Sequence, residues 1–192
     1  MANAGVLHVT GITLTLGAAP ADALRHAVAV ARRAGVTVSL DVNYRAALWP
    51  QDRAAGVLRE LLGQVDVVFA GVAEAELLAG GDHTVEQLAA QISGHGPRQV
   101  VVTRGAAGAY ALADGTAYQT PAVPVAVVDP VGAGDAFVAG YLAELIAGGT
   151  PRRRLATAST VAAFVVSTAG DWEGLPRRAE LGLLSADDDV HR

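Results

Sequence analysis

Four short runs rich in β-branched residues constrain the fold most: VLHVT at 6–10, VTVSLDV at 36–42, VDVVFA at 65–70 and VVVT at 100–103. Three of them lack the strict alternation of a half-exposed strand and VTVSLDV is β-branched, so all four read as buried strands. Between them the apolar spacing becomes helical, at 22–34 (Leu24, Ala27, Val28, Ala31, stopped by Gly35), 51–62, 73–79 and 85–93. Strands alternating with helices in this way argue for an α/β fold, with a mostly parallel sheet covered on both sides. Gly105 and Gly108 bracket a turn into a strand at 109–113, and Asp114-Gly115 is a hairpin signal leading to 116–120. That hairpin breaks the alternation. Beyond it the expected elements are an apolar strand at 123–128, a helix from about 136 to 147 ended by Gly148-Gly149, and a long helix opened by Thr150-Pro151.

The chain has 192 residues, of which 52% are hydrophobic and 17% charged. This is too apolar for disorder and long enough for one sizeable core. The reading is one domain over residues 1–184, followed by an acidic tail at 185–192 that contains Asp187, Asp188 and Asp189. Net charge is −5 and all 14 basic residues are Arg, without a clustered positive surface for a phosphate backbone, so nucleic acid is not an expected partner. The absence of Cys excludes disulfides, thiolate metal sites and cysteine nucleophiles, and is compatible with the cytoplasm. The absence of Lys excludes a P-loop and Schiff-base chemistry. The N-terminus has no cationic stretch ahead of an apolar one, so no signal peptide is expected. The uncharged segment at 155–170 is short for a bilayer and interrupted by Thr and Ser, so it reads as a buried helix and no membrane partner is expected. The five His are scattered without a ligand pair at helical spacing.

The stretch that carries chemistry is DPVGAGDAF, Asp129 to Phe137. It places glycines where a helix begins and leaves that beginning free of side chains. A helix N-terminus carries partial positive charge and open N–H donors, so a phosphoryl group can approach the backbone closely there. Asp135 beside such a hole would repel phosphate, unless it takes the proton of a hydroxyl that attacks the phosphate. For an isolated G-x-G-D, a tight turn with a helix-capping Asp is the plainer reading.

DPVGAGDAF closely resembles the DTTGAGDAF signature of the PfkB/ribokinase family of carbohydrate kinases, with Pro130 and Val131 in place of the usual Thr pair. Further segments resemble the family in the same order, from Val6 to about Leu184. The resemblance implies a ribokinase-like three-layer α/β/α fold that transfers phosphate from ATP to a sugar hydroxyl. By it, Gly132, Ala133 and Gly134 form the anion hole, Asp135 is the catalytic base, and Asp129 helps hold a monovalent cation, K⁺. VVTRGAAGAY looks like the T-x-G-x-x-G loop, in which Thr103, Gly105 and Gly108 would lie along ATP; an ordinary turn needing glycine is the plain alternative. The N-x-x-E motif aligns with Gly71 to Glu74. Glu74 would act through water on Mg²⁺, while Gly71 departs and removes an Asn contact to the nucleotide. Favourable charge in the first turn of a helix is the other reading of Glu74.

DVNYRAALW, Asp41 to Trp49, is similar to the D-x-N-x-R-x-x-L-W segment of the family's 2-keto-3-deoxygluconate kinases. It implies that Asn43 and Arg45 face a sugar acid, whose carboxylate a guanidinium can hold through paired hydrogen bonds; Asp135 would meet the same substrate at its reacting hydroxyl. GDWEGLP at 170–176 resembles a segment of the same kinases. The family also has earlier sheet strands, a glycine-rich sugar motif and a β lid, which have no counterpart before Val6. The expectation is therefore an exposed sheet edge at 6–10 and weak or absent kinase activity in this chain. A catalytically silent nucleotide-binding remnant acting through a partner is the competing reading. Homodimers in the family commonly use the lid, so a homodimer is allowed and not required.

Overall fold

In the computed structural model residues 4–185 are described, and they divide into two compact units: 4–104 with 110–118, and 105–109 with 119–185. The acidic stretch at 186–192 lies outside the described residues.

The first unit carries the sheet. Strands β1 (Val6–Thr10), β2 (Thr37–Asp41), β3 (Val67–Gly71) and β4 (Gln99–Thr103) are parallel and lie side by side in chain order. They are linked by helices α1 (Ala18–Arg33), α2 (Gln51–Leu62), α3 (Val72–Ala79) and α4 (Val85–Ser93). With strand order never reversing, right-handed crossovers set every helix on the same face. One apolar cluster confirms this, joining Val28, Leu58, Leu78 and Ile92 of the helices to Leu40, Val68 and Val102 of the strands. The opposite strand positions Ser39, Val67, Phe69 and Val101 are also buried, which is why these strands read as continuous apolar runs. β5 (Ala109–Ala113) and β6 (Thr116–Thr120) complete a six-stranded sheet. Asp114 N–H donates to Arg98 O at 2.9 Å, so the end of β5 lies against the start of β4 and the two run antiparallel. Asp114 and Gly115 both take positive φ, 48° and 79°, as a two-residue hairpin turn requires.

The second unit is built on α5 (Ala133–Ile146) and α6 (Pro151–Val166). Gly140 lets them touch: a Cβ there would stand 2.9 Å from Ala158 Cα. Thr150 accepts from Arg153 N–H and Pro151 occupies the first turn, so α6 starts where the sequence signals it.

One expected element does not form. Residues 123–128 make no strand, and Val127 and Val128 are 66% and 61% exposed. Pro121 and Pro124 have no N–H to give a ladder, and the amides of Val128 and Asp129 instead donate to Val166 O at the end of α6, at 2.7 and 3.2 Å. The elements at 6–10, 51–62, 85–93, 109–113 and 116–120 have the bounds expected from sequence, and the other elements that form shift by a few residues. In particular α1 starts at Ala18, ahead of the expected residue 22, and α5 begins at Ala133, three residues before the expected start.

Candidate functional site

The start of α5 is bare. Gly132 is its N-cap at φ 76°, contributes no side chain, and would place a Cβ 2.9 Å from Asp171 Cα. Glycine is therefore required there on two counts, conformation and the passing 170–171 backbone. Ala133 N–H reaches Pro130 O at 3.3 Å and Ala136 N–H reaches Gly132 O at 2.8 Å. The intervening amides of Gly134 and Asp135 have no acceptor among the described residues. A Cβ at Gly134 would meet nothing within 4 Å, so space opens in front of these donors. Asp135 lies in the first turn of α5, is exposed, and makes no hydrogen bond or ion pair with the described residues. Two unused N–H donors at a helix start, with an unused carboxylate in the same turn, can hold an anion and accept a proton beside it.

Asp129 is used otherwise. Its Oδ1 accepts from Val131 N–H at 3.0 Å and its Oδ2 from Gly170 N–H at 3.2 Å. The hydrogen bond from Val131, then that from Gly170, holds its carboxyl below the ordinary range, so it stays ionised. It braces the approach to α5 against the 170–171 segment. That partnership was not legible from sequence, because it links residues 41 positions apart through a backbone amide; the only signal was the pair of glycines in GDWEG.

In the first unit the expected residues gather at the carboxyl ends of the parallel strands, the usual location of ligand crevices in such sheets. Asn43 follows β2, Glu74 opens α3 directly after β3, and Thr103 ends β4. Glu74 spans two loops: Oε2 accepts from Gly71 N–H at 2.8 Å and Oε1 from Tyr44 N–H at 2.7 Å. Asn43 takes φ 40°, and its Oδ1 is buried with no hydrogen-bond partner. Arg45 is exposed, and among the described residues its Nη1 donates only to Tyr44 O, at 3.3 Å. Thr103 Oγ1 makes a long contact to Ala70 O at 3.5 Å. At Gly71, where relatives of the motif carry Asn, a Cβ would sit 3.7 Å from Glu74 Oε2 and 4.0 Å from Thr103 Oγ1, so a side chain fits.

Gly105 and Gly108 bound a short turn in the second unit with φ 55° and 85°. A Cβ at Gly108 would stand 2.8 Å from Ala122 N. Among the described residues no three His, Asp or Glu come together as a metal cluster. A cavity of about 290 Å³ between the start of α1 and residues 48–57 is lined by none of the expected site residues. No helix of the described residues is long and apolar enough to cross a membrane.

Comparison with known proteins points the same way. The chain is 38% identical to 2-dehydro-3-deoxygluconokinase of Bacillus subtilis, over 98% of its own length and 59% of that protein's. It superposes on fructokinase from Vibrio cholerae O395, a structure holding fructose, ADP and a calcium ion, with TM-score 0.85 and 28% identity, covering 93% of this chain and 60% of that one. Aminoimidazole riboside kinase from Salmonella enterica, complexed with aminoimidazole riboside and an ATP analogue, matches with TM-score 0.84 and 25% identity, covering 93% and 62%. The chain thus spans about three-fifths of the length of the relatives it matches. The fold is the mostly parallel, helix-flanked ribokinase-like fold that its resemblance implied. With residues 1–178 matched by the model of the pfkB family carbohydrate kinases, this chain belongs to that family.

Proposed function

We propose that this chain serves ATP-dependent phosphoryl transfer to a sugar hydroxyl, with a sugar acid of the 2-keto-3-deoxygluconate type as acceptor. The observation that carries the reading is the open start of α5, where the Gly134 and Asp135 amides and the Asp135 carboxylate are all unengaged. The amides donate to the terminal phosphoryl oxygens and stabilise charge that builds as the group transfers. Asp135 accepts the hydroxyl proton as the acceptor oxygen attacks phosphorus. Gly132 and Ala133 shape the hole, and Asp129 keeps its approach in place as an anion suited to K⁺. Thr103, Gly105, Gly108 and Glu74 are the nucleotide-side candidates, and Asn43 and Arg45 those for the sugar acid.

Mg²⁺ suits a site of few protein carboxylates, since it takes most of its ligands from phosphate and water; bound, it would neutralise charge on the ATP oxygens. The identity of 38% with a 2-dehydro-3-deoxygluconokinase supports the acceptor class. Asp135→Asn keeps the shape and removes the base, so turnover should fall by roughly 10²–10⁴ while Mg·ATP binding holds. The check is ADP release with 2-keto-3-deoxygluconate in the presence of Mg·ATP. Unchanged turnover removes Asp135 as base.

Gly71 favours a second reading, a nucleotide-binding remnant that is catalytically silent, because the motif's Asn is absent there. Calorimetry in which ATP binds while no sugar acid or sugar yields ADP selects that reading.

A further inference from the structure

We infer that the cavity between the starts of α1 and α2 is a ligand site in its own right, suited to a small organic acid and separate from the phosphoryl-transfer site. It measures about 290 Å³ and lies wholly within the first unit. That is close to the lower end, about 300 Å³, of pockets that hold small molecules. Asn43, Arg45, Glu74, Thr103 and Asp135 all lie off its lining, so the proposed kinase chemistry leaves it unused.

The lining divides into an apolar floor and a cationic rim. Leu14, in the short turn Gly11–Thr15, and Val57 of α2 are half-buried and pack against the helix-side core, and buried Trp49 belongs to that core. Packing from behind fixes all three, so the floor does not collapse into the space above it. Gly17 and Ala18, where α1 begins, bring no side chain long enough to fill it. The charged residues of the lining are Arg25, Arg53 and Asp22, two cations to one anion, in a chain whose net charge is −5. Arg53 makes no hydrogen bond or ion pair with the described residues. Arg25 reaches Asp22 only at 3.4 Å, with both side chains more than half exposed, and such a pair holds its partners weakly. The rim therefore keeps a net positive charge with two guanidinium groups open to an anion. Each presents paired donors that match the oxygens of a carboxylate or a phosphate ester. A ligand with an apolar body on Leu14, Trp49 and Val57 and an anionic group toward the arginines satisfies both halves of the lining. An uncharged body or a bare inorganic ion satisfies one.

The test follows the indole N–H signal of Trp49 by NMR in the whole chain. Trp172 is the other tryptophan, so Trp172→Phe assigns the two signals. The probes, at constant ionic strength, are benzoate, phenyl phosphate, uncharged benzyl alcohol and inorganic phosphate. Benzoate or phenyl phosphate should shift the Trp49 signal saturably and bind about fivefold or more tightly than either benzyl alcohol or inorganic phosphate, and the tighter of the two tells carboxylate from phosphate ester. Arg53→Ala and Arg25→Ala change exposed helix positions to the best helix former, so both should fold as wild type does. Each should weaken the preferred acid by about fivefold and leave benzyl alcohol within about twofold. Asp135→Asn should leave all four probes unaffected. The inference is overturned by a Trp49 signal that no probe shifts saturably, by benzyl alcohol binding as tightly as the acids, or by acid affinity unchanged in both arginine variants. Acid binding lost in Asp135→Asn also overturns it, because the cavity would then not be separate. None of these results depends on whether the chain transfers phosphate.

Discussion

At the scale of single residues, the start of α5 separates two glycines by their surroundings. Gly132→Ala puts a side chain at φ 76° and drives it into the Asp171 backbone, so it should lower stability by more than about 1 kcal/mol in thermal unfolding. Gly134→Ala meets open space inside a helix and should leave stability unchanged or raise it by up to about 1 kcal/mol. Its methyl nevertheless occupies the space before the free amides, so Mg·ATP affinity should fall. Measuring unfolding and binding on both variants tells backbone necessity from ligand room. The sequence made the glycines legible as a group. It could not assign them separate duties, because the neighbour that crowds Gly132 is 39 residues downstream. Asp129 adds a pH signature. Its folded pKa lies below its unfolded one, so its contribution is present above the unfolded value of about 3.9 and is lost as pH falls through the depressed folded value. Asp129→Asn should therefore unfold more readily than wild type at pH 6, and the difference should vanish in acid, as read by thermal unfolding across pH.

At the scale of elements, the second unit depends on one buried acid. Glu144 on α5 is 1% exposed and pairs with Arg153 of α6 at 2.9 Å and with Arg178 beyond α6 at 2.7 Å. Both arginines are more than half exposed, so each loses little hydration in reaching the carboxylate. Removing one leaves the other, and should cost about 1–2 kcal/mol. Removing both strands a buried charge and should cost roughly 3–5 kcal/mol, more than the sum of the singles, in denaturant unfolding of Arg153→Ala, Arg178→Ala and the double variant. The same element shows where sequence reading succeeds and fails. Helix α6 was legible from Thr150-Pro151 because its cap is local. The strand expected at 123–128 was not there, because apolar, β-branched composition records a preference for burial and says nothing about whether a ladder partner exists. The two prolines were the evidence against it. The loop after β2 lies between these cases: its residues could be named, while the Glu74 bond that holds it is set by the adjacency of β2 and β3.

At the scale of the whole molecule, the strands of the first unit were legible for a general reason. A parallel sheet buried on both faces must be built from continuous apolar runs separated by helices, so the pattern is written along the chain. What the pattern does not show is the division into two compact units, whose boundaries at 104–105, 109–110 and 118–119 flank the glycine turn and cut β5 and β6 without any change of composition. The open amides belong to the second unit, and a ligand that binds only the folded state at about 100 times its Kd stabilises what it touches by about 2.7 kcal/mol. Adding Mg·ATP should therefore slow hydrogen exchange most at the first turn of α5 and in the 129–131 approach, with strands β2 and β3 changing little except next to Glu74. Exchange that slows uniformly over the sheet, or not at all at α5, would move the nucleotide away from the DPVGAGDAF segment and take the proposed role of Asp135 with it.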